Sequence, residues 1–426
     1  MPPSSPSLPS APLPSPQSDR LKVLVIDEDF PFPPDAGKRI RTWNLLRRLA
    51  ARHDVELLCY GSPDSPALAP LENAGIKAHL VPPHRTDARG ARFFLSLLLN
   101  LFSPHPFSVD KHYSRNFQDA LNHLLASNSW DLLHCEWTPY MRFIHPGVKP
   151  PIVLATHNVE YRIWERRADC ASNFLERLFF RLQARKMERF EKSVVPRAAV
   201  VTAVTPLDAK IFESWSVPHV PVVPNGADLD SLHLSPEKER PNEILSLSSL
   251  DWFPNLDSLD YFVREIFPLI RAVNPNTWLS VVGRRPPESL KARLSSIPGI
   301  KFFGEVPDPR PFLESAEVVV VPLRIGGGSR LKILEALAAG KAVVSTTIGA
   351  EGLDLAPGED LLIADTPADF SRAVLDLLSD APLRRRLQVN GRRTVVQKYD
   401  WGEIAGVLEG IWRKVATSGN APQSRA

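Results

Sequence analysis

The sequence is poor in several features that mark particular classes of protein. Its 426 residues include only three cysteines, Cys59, Cys135 and Cys170, and none of them has C-x-x-C spacing. A small, scattered and odd-numbered set argues against a disulfide framework or a zinc site, and it is typical of a protein in the reducing cytoplasm. Lys plus Arg number 51 and Asp plus Glu number 48, a net charge of +3. This near balance argues against nucleic acid as a partner, so phosphate recognition is expected to be local.

Long apolar runs are missing as well. No stretch reaches the ~18–20 apolar residues that span a bilayer; the nearest is residues 93–102, FFLSLLLNLF. Two interpretations stay open for it: a buried helix, which the sequence favours, and an interfacial helix that makes peripheral contact with the inner face of a membrane near a lipid-linked acceptor. Residues 1–19 are rich in Pro and Ser and lack the start of a signal peptide, so they are predicted to be a disordered tail.

Short strands alternate with helices along both halves of the chain. The run LKVLVI at residues 21–26 precedes a helical pattern at 39–52, and the same alternation resumes at residue 244. This pattern predicts an α/β protein with two Rossmann-like, doubly wound domains that face a cleft. The predicted parts are an N-terminal acceptor-binding domain at 20–226, a linker at 227–241, a C-terminal donor-binding domain at 242–397, a final helix at 398–416 and a second disordered tail at 417–426.

A glycine-rich segment follows the strand at 318–322 and opens the helix at 331–339. It contains Gly326, Gly327 and Gly328, then Ser329, Arg330 and Lys332. Glycines let a ligand approach the backbone, and a helix start offers free N–H groups and the positive end of the helix dipole. Cations are disfavoured at that end unless an anion compensates them, which points to a bound diphosphate. The alternative is a glycine-rich loop with solvated charges, since the Walker A pattern is absent.

Glu335 lies on the same helix, three residues after Lys332. Residues with this spacing share a helix face, so Glu335 could simply pair with Lys332. It stands in an otherwise apolar run, however, and a buried carboxylate needs polar partners. The hydroxyl groups of a ribose would serve as such partners.

The run LKILEALAAGKAVVST (331–346) resembles the donor-site helix of family 4 glycosyltransferases, which have the GT-B fold and retain anomeric configuration. Further segments resemble the same family in the same order. They are PFPPDAGKRIR (31–41), THNVEY (156–161), VPNGAD (223–228), SSLDWFPNLDSL (248–259), VVGRRP (281–286), FFGEVPD (302–308) and YDW (399–401). The resemblance implies a C-terminal helix that crosses back to the first domain, and donor contacts at Glu305 and Val306.

The sequence departs from this family at two places. The family's donor site has two glutamates separated by seven residues; the second corresponds to Glu335, which is implied to bind the ribose, and the first would fall at Gly327. The family also has Arg and Lys in the loop after the first strand of the second domain, but the matching loop at 249–255 contains neither. Arg330 and Lys332 are therefore the candidates to supply the charge on the leaving diphosphate.

The N-terminal half offers two groups of candidate residues. By resemblance, the turn at Gly37 faces the donor phosphates, and Lys38 and Arg39 (with Arg41) either extend a positive wall or form a solvated helix start. The segment 156–160 follows a strand. We expect its four candidates, Thr156, His157, Asn158 and Glu160, to contact the sugar or the acceptor, with capping or core roles as the alternative.

The resemblance implies a hexosyltransferase that uses a UDP- or GDP-linked sugar, with a glycan or lipid-linked molecule as acceptor. Front-side attack without a protein nucleophile is implied, with His157, Arg330 and Lys332 as the catalytic candidates. No cofactor or metal is expected, because the D-x-D run at residues 27–29, which follows the first strand, is interpreted as a polar loop. The alternatives are a GT-B epimerase, an inverting transferase and a non-catalytic nucleotide-sugar-binding protein.

Overall fold

The computed structural model describes residues 20–66, 68–83, 91–171, 173–325 and 331–419. The chain forms two α/β domains, each built on a six-stranded parallel sheet, in the orders β3-β2-β1-β4-β5-β6 and β12-β11-β10-β7-β8-β9. The doubly wound, two-domain architecture predicted from the sequence is therefore confirmed. The predicted tail at 1–19 lies outside the described residues, as do residues 420–426 of the tail predicted at 417–426, whereas residues 417–419 belong to the last helix.

The first sheet is assembled from short, buried apolar strands, as parallel sheets covered on both faces require. Its strands are β1 (Lys22–Ile26), β2 (Asp54–Tyr60), β3 (Ile76–Val81), β4 (Leu132–Cys135), β5 (Ile152–Ala155) and β6 (Val200–Thr202). Its helices are α1 (Gly37–Ala50), α2 (Leu68–Asn73), α3 (Ala91–Leu101), α4 (Phe107–His112), α5 (Arg115–Ser127), α6 (Glu160–Asp169), α7 (Phe174–Val194) and α8 (Pro206–Glu213).

The second sheet has the same construction, and its central strand β10 is four buried valines. Its strands are β7 (Glu243–Leu247), β8 (Trp278–Val282), β9 (Ile300–Gly304), β10 (Val318–Val321), β11 (Ala342–Ser345) and β12 (Leu362–Ile363). Its helices are α9 (Phe253–Tyr261), α10 (Phe267–Val273), α11 (Glu288–Ser295), α12 (Arg310–Ser315), α13 (Leu331–Ala338), α14 (Thr347–Ala350), α15 (Pro367–Ser379) and α16 (Ala381–Lys398). A π-helical turn at Phe262–Ile266 joins α9 to α10.

The last helix, α17 (Trp401–Gly419), returns to the first domain, as the sequence resemblance implied. Its fully buried Trp401 and Trp412 belong to the same apolar cluster as Leu45 and Leu49 of α1. The chain crosses between the domains twice, and the two crossings touch: the amide of Ala227 donates to the carbonyl of Tyr399 at 2.8 Å. The two covalent connections between the domains thus run side by side.

The apolar run at 93–102 forms α3 and the residue that follows it, and its expected burial is wrong. Leu95, Leu98 and Leu99 are each more than half exposed, and Phe102 is 86% exposed. The helix ends against α7, where Gln183 and Lys186 hydrogen-bond Asn100. The run therefore presents an apolar face outward instead of filling a core.

Candidate active site

The glycine-rich segment lies between β10 and α13. Gly326, Gly327, Gly328, Ser329 and Arg330 fall outside the described residues, so their predicted donor contacts stay predictions. Both flanks are described: β10 ends at Val321 at the carboxyl edge of its sheet, and α13 begins at Leu331. In parallel α/β sheets this edge is where ligands bind.

Lys332 points from the first turn of α13 to the loop that follows β7. Its ammonium group donates to the Oδ1 atom of Asn255 at 2.7 Å. Arg284 reaches the same loop from the end of β8, because its Nε atom donates to the Oγ atom of Ser249 at 2.8 Å. Two cations thus converge on the loop that lacks the Arg and Lys of the related family. The sequence reasoning missed Arg284, although the pattern Gly-Arg directly after a strand was visible in it.

Glu335 lies one turn further along α13, partly exposed. Burial raises the pKa of its carboxyl group to about 7, and this rise is opposed by the charge of Lys332 and reinforced by Asp228. A carboxyl group that titrates near neutral pH can accept a hydrogen bond from a hydroxyl group or donate one to it. Its position next to Lys332 agrees with the ribose contact, which stays a prediction.

The starts of α1 and α13 meet across the domain boundary. A Cβ atom added to Gly37 would lie 3.4 Å from the Cδ1 atom of Leu331, about van der Waals distance, so the two helix starts are close neighbours. A second contact joins the domains nearby, because Arg284 lies 3.1 Å from the carboxylate of Asp35. Two helix N-termini therefore face one junction, beside the segment that carries the three glycines.

Lys38 and Arg39 are paired with carboxylates inside the first domain. Lys38 forms ion pairs with Asp27 and Glu28, and Arg39 with Asp29 and Asp35. The pKa of Asp27 is raised to about 7 by burial, against the opposing charge of Lys38. This pairing uses the D-x-D run at 27–29, and it neutralises much of the positive wall that the sequence suggested at Lys38 and Arg39.

His157 follows β5 and faces the same end of the first sheet. Its Nε2 atom lies 2.6 Å from the backbone oxygen of Glu136 and 3.1 Å from the carboxylate of Glu136. Glu136 also contacts the Nε2 atom of His134 at 3.0 Å. Although burial works in the opposite direction, hydrogen bonds from both histidines hold the pKa of Glu136 well below its usual range. The sequence reasoning missed this carboxylate and His134.

The other candidates of the 156–160 segment have structural partners. The hydroxyl of Thr156 donates to the carbonyl of Thr202 at 2.8 Å in the neighbouring strand. Glu160 accepts from the Nε1 atom of Trp137 at 3.0 Å, and burial raises its pKa to about 7. The side chain of Asn158 hydrogen-bonds Glu160. Thr156 and Glu160 thus have the structural roles that the sequence left open, and a ligand contact of His157 stays a prediction.

Two further features border the cleft. A pocket of about 580 Å³ opens at the carboxyl ends of β1 and β2, lined among others by Glu28, Tyr60 and His112. In the second domain Glu305 is exposed and accepts from the amide of Arg285 at 3.1 Å, whereas Val306 packs against the apolar core. Within the described part of the chain, no group of three or more His, Cys, Asp or Glu side chains has the arrangement of a metal site.

Two family models match the chain, one for each domain. Residues 36–226 match the glycosyl transferase 4-like domain, and residues 241–380 match the glycosyl transferases of group 1. Together the two matches cover more than half of the chain and include most of the residues described above.

Curated relatives agree with these matches. A phosphatidyl-myo-inositol mannosyltransferase of Mycobacterium leprae is 29% identical over 47% of this chain and 55% of its own length. An uncharacterized 44.6 kDa protein in the cps region of Klebsiella pneumoniae is 21% identical over 89% of this chain and 96% of its own length. The chain thus spans about half the length of the mannosyltransferase that it matches.

Solved structures show the same fold. Sucrose-phosphate synthase from Thermosynechococcus elongatus superposes with a TM-score of 0.71 at 18% identity, over 94% of this chain and all of that one. Anabaena HepE, solved with UDP and glucose, superposes with a TM-score of 0.64 at 14% identity, over 92% of this chain and all of that one. The two-sheet architecture, the matched domains and these neighbours show that the chain belongs to the GT-B glycosyltransferases of the family 4 type.

Proposed function

We propose that this protein transfers a hexose from a GDP- or UDP-linked sugar to a glycan or lipid-linked acceptor, with retention of configuration and without a metal. The observation that supports the donor half most directly is the convergence of Lys332 and Arg284 on one loop at the domain junction. These cations lie beside the starts of α1 and α13, where backbone N–H groups favour an anion.

The leaving group sets what the donor site must do. Breaking the anomeric bond leaves negative charge on a nucleoside diphosphate, and fixed cations and N–H groups stabilise that charge. In this proposal Lys332 and Arg284 hold the diphosphate together with Arg330, and Glu335 binds the ribose. The backbone of residues 327–329 replaces the missing first glutamate at the sugar. His157 meets the sugar or the acceptor hydroxyl from the opposite domain.

The proposed nucleotides and acceptor follow the named relatives. The mycobacterial relatives are phosphatidyl-myo-inositol mannosyltransferases, a corynebacterial relative is named as GDP-mannose-dependent, and HepE was solved with UDP-glucose. GDP-mannose and UDP-glucose are therefore the first donors to test. The pocket beside Glu28 and His112 lies at the end of the first sheet, on the side proposed for the acceptor.

A surface of the first domain fits peripheral contact with a membrane. Besides the exposed face of α3, the start of α7 exposes Phe174 and Leu175 by about three quarters of their surface. The outer side of α7 then carries exposed arginines, namely Arg177, Arg181, Arg185 and Arg189. Apolar side chains flanked by arginines suit an anionic lipid surface. No helix in the described ranges has the length and apolarity needed to cross a bilayer.

The proposal places the protein in the cytoplasm at the inner face of the membrane. The two buried cysteines, Cys59 and Cys135, are free, which suits a reducing compartment. Binding to vesicles of phosphatidylcholine with and without phosphatidylglycerol tests this placement by sedimentation. Phe102→Ser should reduce binding to the anionic vesicles, whereas Val273→Ser, an exposed apolar residue of the second domain, should leave it unchanged. Equal binding of the two variants to the anionic vesicles would show that this surface does not contact the membrane.

The activity is tested in two steps. A thermal-shift screen of nucleoside diphosphates and their sugars identifies the donor, because a ligand that binds only the folded state raises its stability. Anomeric NMR of the product formed from that donor then distinguishes retention from inversion. Tight donor binding without turnover on lipid-linked and glycan acceptors would support a non-catalytic binding protein instead, and absence of any nucleotide effect would refute the proposal.

A further inference from the structure

A line of four side chains in polar contact runs from the crossover helix α17 to His157. The Nε1 atom of Trp412 lies 3.1 Å from the Nδ1 atom of His134. The Nε2 atom of His134 lies 3.0 Å from the Oε1 atom of Glu136, and the Oε2 atom of Glu136 lies 3.1 Å from the Nε2 atom of His157. Trp412, His134 and Glu136 are fully buried. The last member, His157, keeps 11% of its side-chain surface exposed.

The chemistry of these groups fixes the position of each proton. An indole N–H can only donate, so the Nδ1 atom of His134 carries no proton and its Nε2 atom must donate to Glu136. The Nε2 atom of His157 lies 2.6 Å from a backbone carbonyl, which can only accept, so this nitrogen is a donor as well. The carboxylate of Glu136 therefore accepts from His134 and lies 3.1 Å from the N–H group of His157, and this surrounding favours its ionised form.

These assignments leave one nitrogen available to a ligand. With its proton on Nε2, neutral His157 has an unprotonated Nδ1 atom, and none of the residues described here hydrogen-bonds to that atom. Burial lowers the pKa of His157, and the positive charges of Arg41 and Lys38 lower it further. The negative charge of Glu136 raises it. The net effect is a lowered pKa, so His157 is neutral at pH 7.

We propose that Trp412 and His134 are positioning residues that hold the Glu136 carboxylate, and through it His157, so that the Nδ1 atom of His157 accepts a hydrogen bond from a sugar or acceptor hydroxyl. This inference rests on the proposed function for its ligand, but the arrangement itself does not. A residue of the crossover helix thus acts on the acceptor side of the site through two intervening side chains. Without the hydrogen bond from Trp412, the proton of His134 is no longer confined to its Nε2 atom. The carboxylate of Glu136 then loses a fixed hydrogen-bond donor.

The helix itself provides a matched control. Trp401 is also fully buried in α17, but its Nε1 atom has no hydrogen-bond partner among the described residues. Trp401→Phe and Trp412→Phe therefore remove similar volume from one helix, and only the second breaks the line of polar contacts. A difference between these two variants reports on the hydrogen bond and not on packing.

The first experiment follows the histidines by NMR in the full-length protein labelled with 15N-histidine, with His157 assigned by His157→Gln. In the wild type we expect an unprotonated Nδ1 atom on both His134 and His157; a protonated Nδ1 on either ring would overturn the proposal without any variant. Glu136→Gln should lower the pKa of His157 by about one unit or more, because it removes a negative charge within hydrogen-bond distance.

Trp412→Phe should move the His157 titration the other way and by less, because a weaker bond from His134 leaves more of the carboxylate charge acting on His157. Trp401→Phe should leave the titration unchanged. Identical titrations in the two tryptophan variants would refute the positioning role. His134→Gln, which keeps a donor near the Nε2 position, should restore the wild-type behaviour that His134→Leu loses.

The second experiment measures kinetics with GDP-mannose or UDP-glucose, whichever the donor screen identifies. His134→Leu should lower kcat roughly tenfold to a hundredfold with little change in KM for the donor, as expected for a misplaced group. His134→Gln should recover most of that loss. An unchanged kcat in His134→Leu would refute the positioning role. The NMR result needs no substrate, so failure of the proposed function and failure of this inference give different outcomes.

Discussion

Replacing Lys332 by Met is the sharpest test of the donor site. Methionine keeps the unbranched stem of the side chain and removes its charge. In the unliganded protein the ammonium group donates to Asn255 at 2.7 Å, so folding loses a hydrogen bond worth about 1 kcal/mol. A bound diphosphate would lose a charge-assisted hydrogen bond worth about 1.5–3 kcal/mol. Because 1.4 kcal/mol corresponds to a factor of ten, Kd should rise roughly ten- to a hundredfold.

Glu335 offsets a small part of this loss. The charge of Lys332 lowers the pKa of Glu335, which burial has raised to about 7. Without Lys332 that pKa rises further, so the carboxyl group stays protonated at neutral pH and repels a diphosphate less. The defect of the variant should therefore grow as the pH rises above neutral, toward the range in which Glu335 is ionised in both proteins.

Isothermal titration with GDP and with UDP measures this effect. Lys398→Met is the matched control, because Lys398 is a lysine of the same domain whose partner, Asp354, lies 2.7 Å away in an exposed pair. The control should bind as the wild type does, and circular dichroism should show both variants folded. Equal isotherms for Lys332→Met and the wild type would remove Lys332 from the site and refute the argument from its position.

Three further predictions concern pH, packing and metals. Glu160→Gln should be more stable than the wild type at pH 8 but not at pH 4. The pKa of Glu160 is raised from 4.5 to about 7, so its ionisation lowers the stability of the wild type by on the order of 3 kcal/mol as the pH rises through that range. An equal difference in melting temperature at both pH values would contradict this. Gly226→Ala should lower the melting temperature, because its Cβ atom would lie 2.8 Å from the ring of Trp401. Gly406→Ala, whose Cβ atom would have no neighbour within 4 Å, should raise the melting temperature slightly. A melting temperature of Gly226→Ala equal to or above that of Gly406→Ala would contradict this. Transfer rates should be insensitive to EDTA; a loss that Mg²⁺ or Mn²⁺ restores would show a metal-dependent reaction.

Much of the fold could be predicted because its strands are short apolar runs between clear helical patterns. Strand β3, IKAHLV, was not predicted, because Lys77 and His79 interrupt its apolar pattern where the strand is partly exposed. The two-residue strand β12 is too short to leave a pattern. The exposure of α3 could not be predicted from hydrophobicity, because a buried helix and a surface helix that awaits a partner have the same composition.

The site could be predicted only where its residues are close in sequence. Lys332 and Glu335 share one helix turn, so their common position followed from spacing. Arg284 was missed because the charge at the loop after β7 comes from the end of the neighbouring strand. The hydrogen bond between His134 and Trp412 joins residues 278 positions apart, so no local sequence pattern could predict it.

The contact between Ala227 and Tyr399 has a mechanical consequence. The backbone passes from the first domain to the second and back again at two points that are hydrogen-bonded to each other. Two adjacent connections of this kind suit a hinge rotation of one domain against the other better than a sliding motion. In such a rotation the atoms farthest from the two connections would move most.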